Sequence, residues 1–138
     1  MPPDEAMFLR FSAAALAAIT AAFLIAGRAN ACSIALILAV DVSGSVDRAE
    51  YHTQMQGLAD GLRDSAVSEA LVAGEAAVMI LHWTGSSRQM VAVPWTRIGS
   101  FEALEDFAVR AEAAPRVWRN FSTAIGEALL FAGAQFAE

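Results

Sequence analysis

The amino-acid sequence predicts an α/β fold: a mostly parallel sheet with one antiparallel edge strand. Three observations carry this. Residues 34–40 form a short, unbroken apolar run, the pattern of a strand covered on both faces. A helix-length amphipathic stretch separates that run from a second one at 76–81, so the two strands should lie parallel with a crossover helix between them. The second run is joined to a third by only a few turn residues, which makes an antiparallel hairpin.

Each element follows from its residues. After the first run comes Asp41-Val42-Ser43-Gly44-Ser45, a turn. A helix should begin near Asp47, because Asp47 and Glu50 have the spacing of a capping box. Tyr51, Met55, Leu58 and Leu62 recur at helical spacing as its apolar face. Gly57 and Gly61 weaken this helix but leave room for close approach to a sheet. Residues 65–72 suggest a short second helix. The second strand runs into His82-Trp83 and the turn cluster Thr84-Gly85-Ser86-Ser87. The third strand, 89–93, should stop at Pro94. Ser100 can cap a helix in which Phe101, Leu104, Phe107, Ala108 and Ala111 share a face, with Pro115 beyond its end. Ser122 or Thr123 should open a last helix, with Ile125, Leu129, Ala132 and Phe136 facing inward. The first strand is the most apolar and is therefore expected at the centre of the sheet. In that position it needs a further strand as neighbour, which would have to follow Glu138. The sequence therefore reads as a fragment of its domain.

Residues 1–31 have the pattern of a signal peptide: Arg10, an apolar stretch over 11–27, and the small-x-small triplet Ala29-Asn30-Ala31. Asp4 and Glu5 are unusual in such a leader, which makes Met7 a candidate true start. The implied location is outside the cytoplasm, in the periplasm or cell envelope of a bacterium, with 32–138 as the folded part. Membrane contact would come only through an uncleaved leader or through lipidation of Cys32. Ala29 stands where a lipidation signal wants a residue such as Leu, and the apolar stretch is short for a membrane anchor. Cys32 is the single cysteine, so no disulfide can form within the chain.

The net charge is −6, and every basic side chain is an arginine. Removing the leader leaves this balance unchanged, since Arg10 and Arg28 fall away with Asp4 and Glu5. An acidic chain without a basic patch argues against nucleic acid as a partner. The absence of lysine excludes a lysine-containing phosphate loop.

The chemistry centres on the turn after the first strand. In open α/β sheets ligands bind outside the carboxyl ends of the strands, where this turn lies. Asp41 offers a carboxylate, and Ser43 and Ser45 offer hydroxyls that can point to one side of a tight loop. These are hard oxygen donors, suited to a hard cation such as Mg²⁺. The competing explanation is a Ser/Gly turn whose hydroxyls serve the following helix. Catalytic motifs fit poorly. Ser43 is not in a Gly-x-Ser-x-Gly elbow, Asp41 is not followed by Ser/Thr-Gly, and no second carboxylate stands at position 43. His52 beside Tyr51 reads as a surface or half-buried residue, and His82, at the carboxyl end of the second strand and within reach of the metal loop, as a structural neighbour of Trp83. Trp83, Trp95 and Trp118 read as packing residues, and Glu102, Glu105, Asp106 and Glu112 as the solvated face of a helix.

The Asp41-x-Ser43-x-Ser45 pattern after an apolar strand resembles the metal-ion-dependent adhesion site of von Willebrand factor A domains, whose fold is Rossmann-like. That site takes a further ligand from a Thr on a later loop. Phe121-Ser122-Thr123-Ala124-Ile125-Gly126 is similar to that loop, with Ser122 in place of the usual Gly, which makes Thr123 the fourth candidate. More narrowly, residues 36–47, with Val93-Pro94-Trp95 and Thr123-Ala124-Ile125-Gly126, resemble a bacterial family of exported proteins catalogued as domain of unknown function 1194. The resemblance implies a site of Asp41, Ser43, Ser45 and Thr123 for Mg²⁺, or for Mn²⁺ or Ca²⁺. It also implies a third loop with an Asp on a following strand, so the site is expected to be incomplete in this chain. A cation held by one carboxylate and neutral hydroxyls is under-neutralised and would accept a carboxylate from a protein partner. The expected function is thus a metal-dependent, adhesion-type protein-binding module with no catalytic residues. The alternatives are a Mg²⁺-dependent hydrolase using the same loop, and a structural domain without metal.

Overall fold

In a computed structural model that describes residues 34–119 and 121–137, the element order begins with β1 (Ala35–Asp41), α1 (Arg48–Arg63) and α2 (Ser65–Ala73). It continues with β2 (Ala77–Trp83), β3 (Gln89–Arg97), α3 (Phe101–Ala113) and α4 (Ile125–Gln135). The leader expectation and Cys32 lie outside the described residues. The α/β class is borne out. β1 pairs with β2 in parallel from Ala35↔Ala77 to Asp41↔Trp83, and β3 pairs with β2 antiparallel.

Two local signals act as the sequence predicts, and the structure adds a third at Asp64. The Asp47 carboxylate accepts the Glu50 amide while Glu50 accepts the Asp47 amide, closing the capping box at 2.8 and 2.7 Å. Ser100 caps α3 by accepting the Ala103 amide. Asp64 ends α1 and caps α2 through the Ala66 and Val67 amides, which explains how two helices follow each other without a linker.

The strand alternation divides the core in two. Val78 and Ile80 of β2, with Val40 of β1 and Val93 of β3, face α1 and α3, where Met55, Ala59, Leu62, Leu104, Phe107, Ala108 and Ala111 complete one apolar cluster. Leu81 and Trp83 point the other way and meet Ala128, Phe131 and Ala132 of α4, with Ile37 of β1. Outside the first cluster, Arg63 ties α1 to α3 by forking onto Glu105 and reaching Glu112. This exposed network raises the arginine pKa and lowers that of Glu105, chiefly through their hydrogen bonds.

Among the described strands β2 lies between β1 and β3 and is the most completely buried, and β1 is paired along one edge only, as expected for the strands present here. Five expectations are corrected. β3 runs through Pro94 to Arg97. As the other outer strand, with irregular register between Val78 and Leu81, it can carry a residue that lacks an amide hydrogen. Phe101 is exposed at the start of α3. Nothing lies within 4 Å of a side chain built at Gly57 or Gly61, so neither serves a close approach. The inward face of α4 is Ala128, Phe131, Ala132 and Gln135, whereas Ile125, Leu129 and Phe136 are exposed. Ala124, without a side-chain cap, precedes that helix, so Ser122 and Thr123 are released from capping.

Candidate metal-binding loop pair

Because β1 and β2 are parallel and in register, their carboxyl ends lie side by side, and the loops that follow start from one edge. Asp41 is the last residue of β1, and the Val42 amide still bonds to the Trp83 carbonyl at 2.9 Å. The chain then tightens. Oδ1 of Asp41 accepts the Ser43 amide at 2.7 Å, and the Val46 amide returns to the Ser43 carbonyl at 3.1 Å. This local turn places Ser43 inward, 1 % exposed, and leaves Ser45 at the surface. The two hydroxyls are 3.3 Å apart.

A second loop docks on the first. The Gly44 amide donates to the Phe121 carbonyl at 2.8 Å, and the Thr123 hydroxyl donates to Oγ of Ser43 at 3.3 Å. From the other side the buried Thr84 hydroxyl donates to the Ser122 carbonyl at 3.1 Å, which ties the loop after β2 to the same segment. All four predicted ligands, Asp41, Ser43, Ser45 and Thr123, therefore belong to one pair of joined loops. Three of the four form a row of hydroxyls centred on Ser43.

The donor chemistry can be tested against a cation. Neighbouring oxygens around an octahedral Mg²⁺ lie about 2.9 Å apart, and around the larger Ca²⁺ about 3.4 Å. The hydroxyl spacing of 3.3 Å falls in that range, so a hard divalent ion could be accepted with shifts of a few tenths of an ångström. Among the described residues Oδ2 of Asp41 accepts no hydrogen bond and is available as a further donor. The set remains poor in charge: no three His, Cys, Asp or Glu side chains converge as a metal cage among the described residues. The residues present fit a hard cation held by one carboxylate and hydroxyls, and a ligand from elsewhere would have to balance the charge.

A family model described as Protein of unknown function (DUF1194) matches residues 31–138. The chain belongs to that family. The resemblance read from residues 36–47, 93–95 and 123–126 is borne out at this level. No curated protein matches the chain.

Around the loop pair of this DUF1194 member stand residues that sequence reasoning did not select. Arg116 Nη2 donates to the carbonyls of Val42 and Ser43 at 3.2 and 2.8 Å, and so clasps the turn from behind. Its Nε is buried with no partner. Arg88, at the end of the turn after β2, lies 3.7 Å above the Phe121 ring. Thr84 and Arg88 occupy the turn after a parallel strand, the place where a ligand loop is expected, and that position was their one available signal. Arg116 had none.

The histidines divide as expected. His52 is exposed on α1. His82 is fully buried, edge-on to Tyr51, with Nε2 3.4 Å from the tyrosine oxygen. Tyr51 donates its own hydroxyl to the Ala114 carbonyl, so His82 Nε2 must carry the proton of their contact. His82 Nδ1 is then a bare acceptor without a partner. Burial lowers the His82 pKa to about 4 and raises that of Tyr51 to about 12, the latter against an opposing pull from Arg116. His82 is held neutral inside the core.

Proposed function

We propose that this DUF1194 member is an exported, metal-dependent protein-binding module of the adhesion type. Asp41, Ser43, Ser45 and Thr123 hold Mg²⁺, or Mn²⁺ or Ca²⁺, and a protein partner offers a carboxylate as a further ligand. The observation that carries this reading is the joining of the two loops: the Gly44–Phe121 backbone bond sets the Thr123 hydroxyl against Ser43. A turn whose hydroxyls served only the following helix would need no such partner, and that helix is capped by Asp47 instead. The likeness of the motif to the adhesion site of von Willebrand factor A domains supports the same conclusion. The leader-like pattern of 1–31 supports export to the periplasm or cell envelope. Among the described residues no helix is long and apolar enough to cross a membrane.

Binding of metal to the folded chain alone must raise its stability, by about 2.7 kcal/mol when the free ion is at a hundred times its dissociation constant. The test is a thermal melt of the full-length protein at increasing Mg²⁺ and Mn²⁺. A rise in melting temperature that disappears in Asp41→Ala is expected. No shift at millimolar metal overturns the reading.

A further inference from the structure

The three loops at the carboxyl edge of the sheet are the cationic spot of an acidic chain. Residues 41–45, 84–88 and 116–123 contain one carboxylate, Asp41, against Arg88, Arg116 and Arg119. The ion pairs found among the described residues engage Arg63 and Arg97, and none engages these three. Arg116 spends its guanidinium on backbone carbonyls. Arg88 does not: its side chain donates no hydrogen bond among the described residues, and its guanidinium carbon lies over the Phe121 ring, 3.7 Å from the centroid.

That posture has a consequence for recognition. A guanidinium stacked on a ring keeps its N–H donors in its own plane, directed outward, and the ring fixes that plane before any ligand arrives. A planar donor fork held in this way matches a carboxylate. Its support, Phe121, supplies the carbonyl that holds the Gly44 amide, so the fork is coupled to the metal-loop candidates by a single residue. Ser45, Phe121, Ser122 and Thr123 are exposed, which makes this an open surface; small molecules favour enclosed clefts.

We propose that Arg88, stacked on Phe121, is a second anchor beside the loop pair, and that the partner is an acidic protein segment presenting two carboxylates, one to the metal and one to Arg88. The inference rests on the proposed function for the first carboxylate only.

The probes are glycine-spaced synthetic peptides carrying either two glutamates or one glutamate and one glutamine, titrated into the chain with Mg²⁺ and with chelator. Binding is followed by isothermal titration calorimetry, whose signal does not depend on the Arg88 side chain. The best diacidic peptide should bind about tenfold tighter than its monoacidic counterpart, the size of one charge-assisted contact. Arg88→Gln should erase that ratio, and Phe121→Leu, which keeps the charge and removes the stack, should reduce it. Arg110→Gln, remote from the loops, should leave it unchanged. A ratio that survives in Arg88→Gln overturns the anchor, whatever the metal does. A ratio that depends on Arg88 but is equal with and without metal leaves the anchor standing and overturns the metal-dependent reading.

Discussion

The Thr123 hydroxyl donates to Oγ of Ser43 across 80 residues of sequence, at 3.3 Å. The contact is long for a bond between hydroxyls, whose usual separation is about 2.8 Å. Two oxygens at that spacing are better described as neighbours that a third party could bridge. In Thr123→Ala the loop pair loses this oxygen and keeps its backbone bond. Mn²⁺ affinity, read from the manganese electron paramagnetic resonance signal, should fall about tenfold, equivalent to about 1.4 kcal/mol. Thr123→Ser retains the oxygen and should restore the affinity. Equal affinity in all three proteins would remove Thr123 from the site.

The second prediction concerns His82. Its pKa falls from the ordinary 6.5 to about 4 because burial strips the charged ring of water, and Nδ1, where the added proton would go, has no partner among the described residues. As pH falls, the unfolded chain takes up this proton first. The contribution of His82 to stability is therefore complete above pH 6.5, declines as pH falls towards 4, and levels off below that. The full loss is on the order of 3 kcal/mol. Carboxylates titrate over part of the same range, so the informative quantity is the difference between the chain and His82→Leu. Urea unfolding should show that difference constant above pH 6.5 and moving in favour of the variant below it. A difference that is independent of pH would mean that His82 is protonated without penalty.

What was legible in the sequence follows from how local each signal is. The capping box at Asp47 and the cap at Ser100 are written within four residues, and both form as read. The Asp41–Ser45 turn is equally local, and so is its position after a buried strand. The face of α4 was not legible, because Ile125-Gly126-Glu127-Ala128-Leu129-Leu130-Phe131 is apolar almost all round and periodicity does not select a side. Small Ala128 and Ala132 pack against the sheet, and the larger Leu129 and Leu130 are left outside. The place of β2 between β1 and β3 was legible, since the crossover helix makes it the parallel neighbour of β1 and the short turn makes it the hairpin partner of β3. Within the site, Thr123 was reached by resemblance. Arg116 meets the turn from more than seventy residues away with no pattern to announce it.

Arg116 supplies the third prediction. It has two opposing effects on a cation at the loop: its hydrogen bonds hold the Val42 and Ser43 carbonyls in place, and its positive charge repels the ion. Removing the whole side chain would mix the two, so the informative variant is Arg116→Lys, which keeps the charge and gives up the planar fork. With the carbonyls released, the turn should open more often. The Gly44 amide, protected by its bond to Phe121, should then exchange its hydrogen about tenfold faster, which corresponds to the loss of one charge-assisted bond of about 1.5 kcal/mol. This measurement needs no metal, so it tests the clasp independently of what the loop binds. If the loop does hold a cation, Mn²⁺ affinity should fall in parallel, because the ion must then also organise its own ligands. Unchanged exchange at Gly44 in Arg116→Lys would show that the turn is held by Asp41 and Phe121 alone.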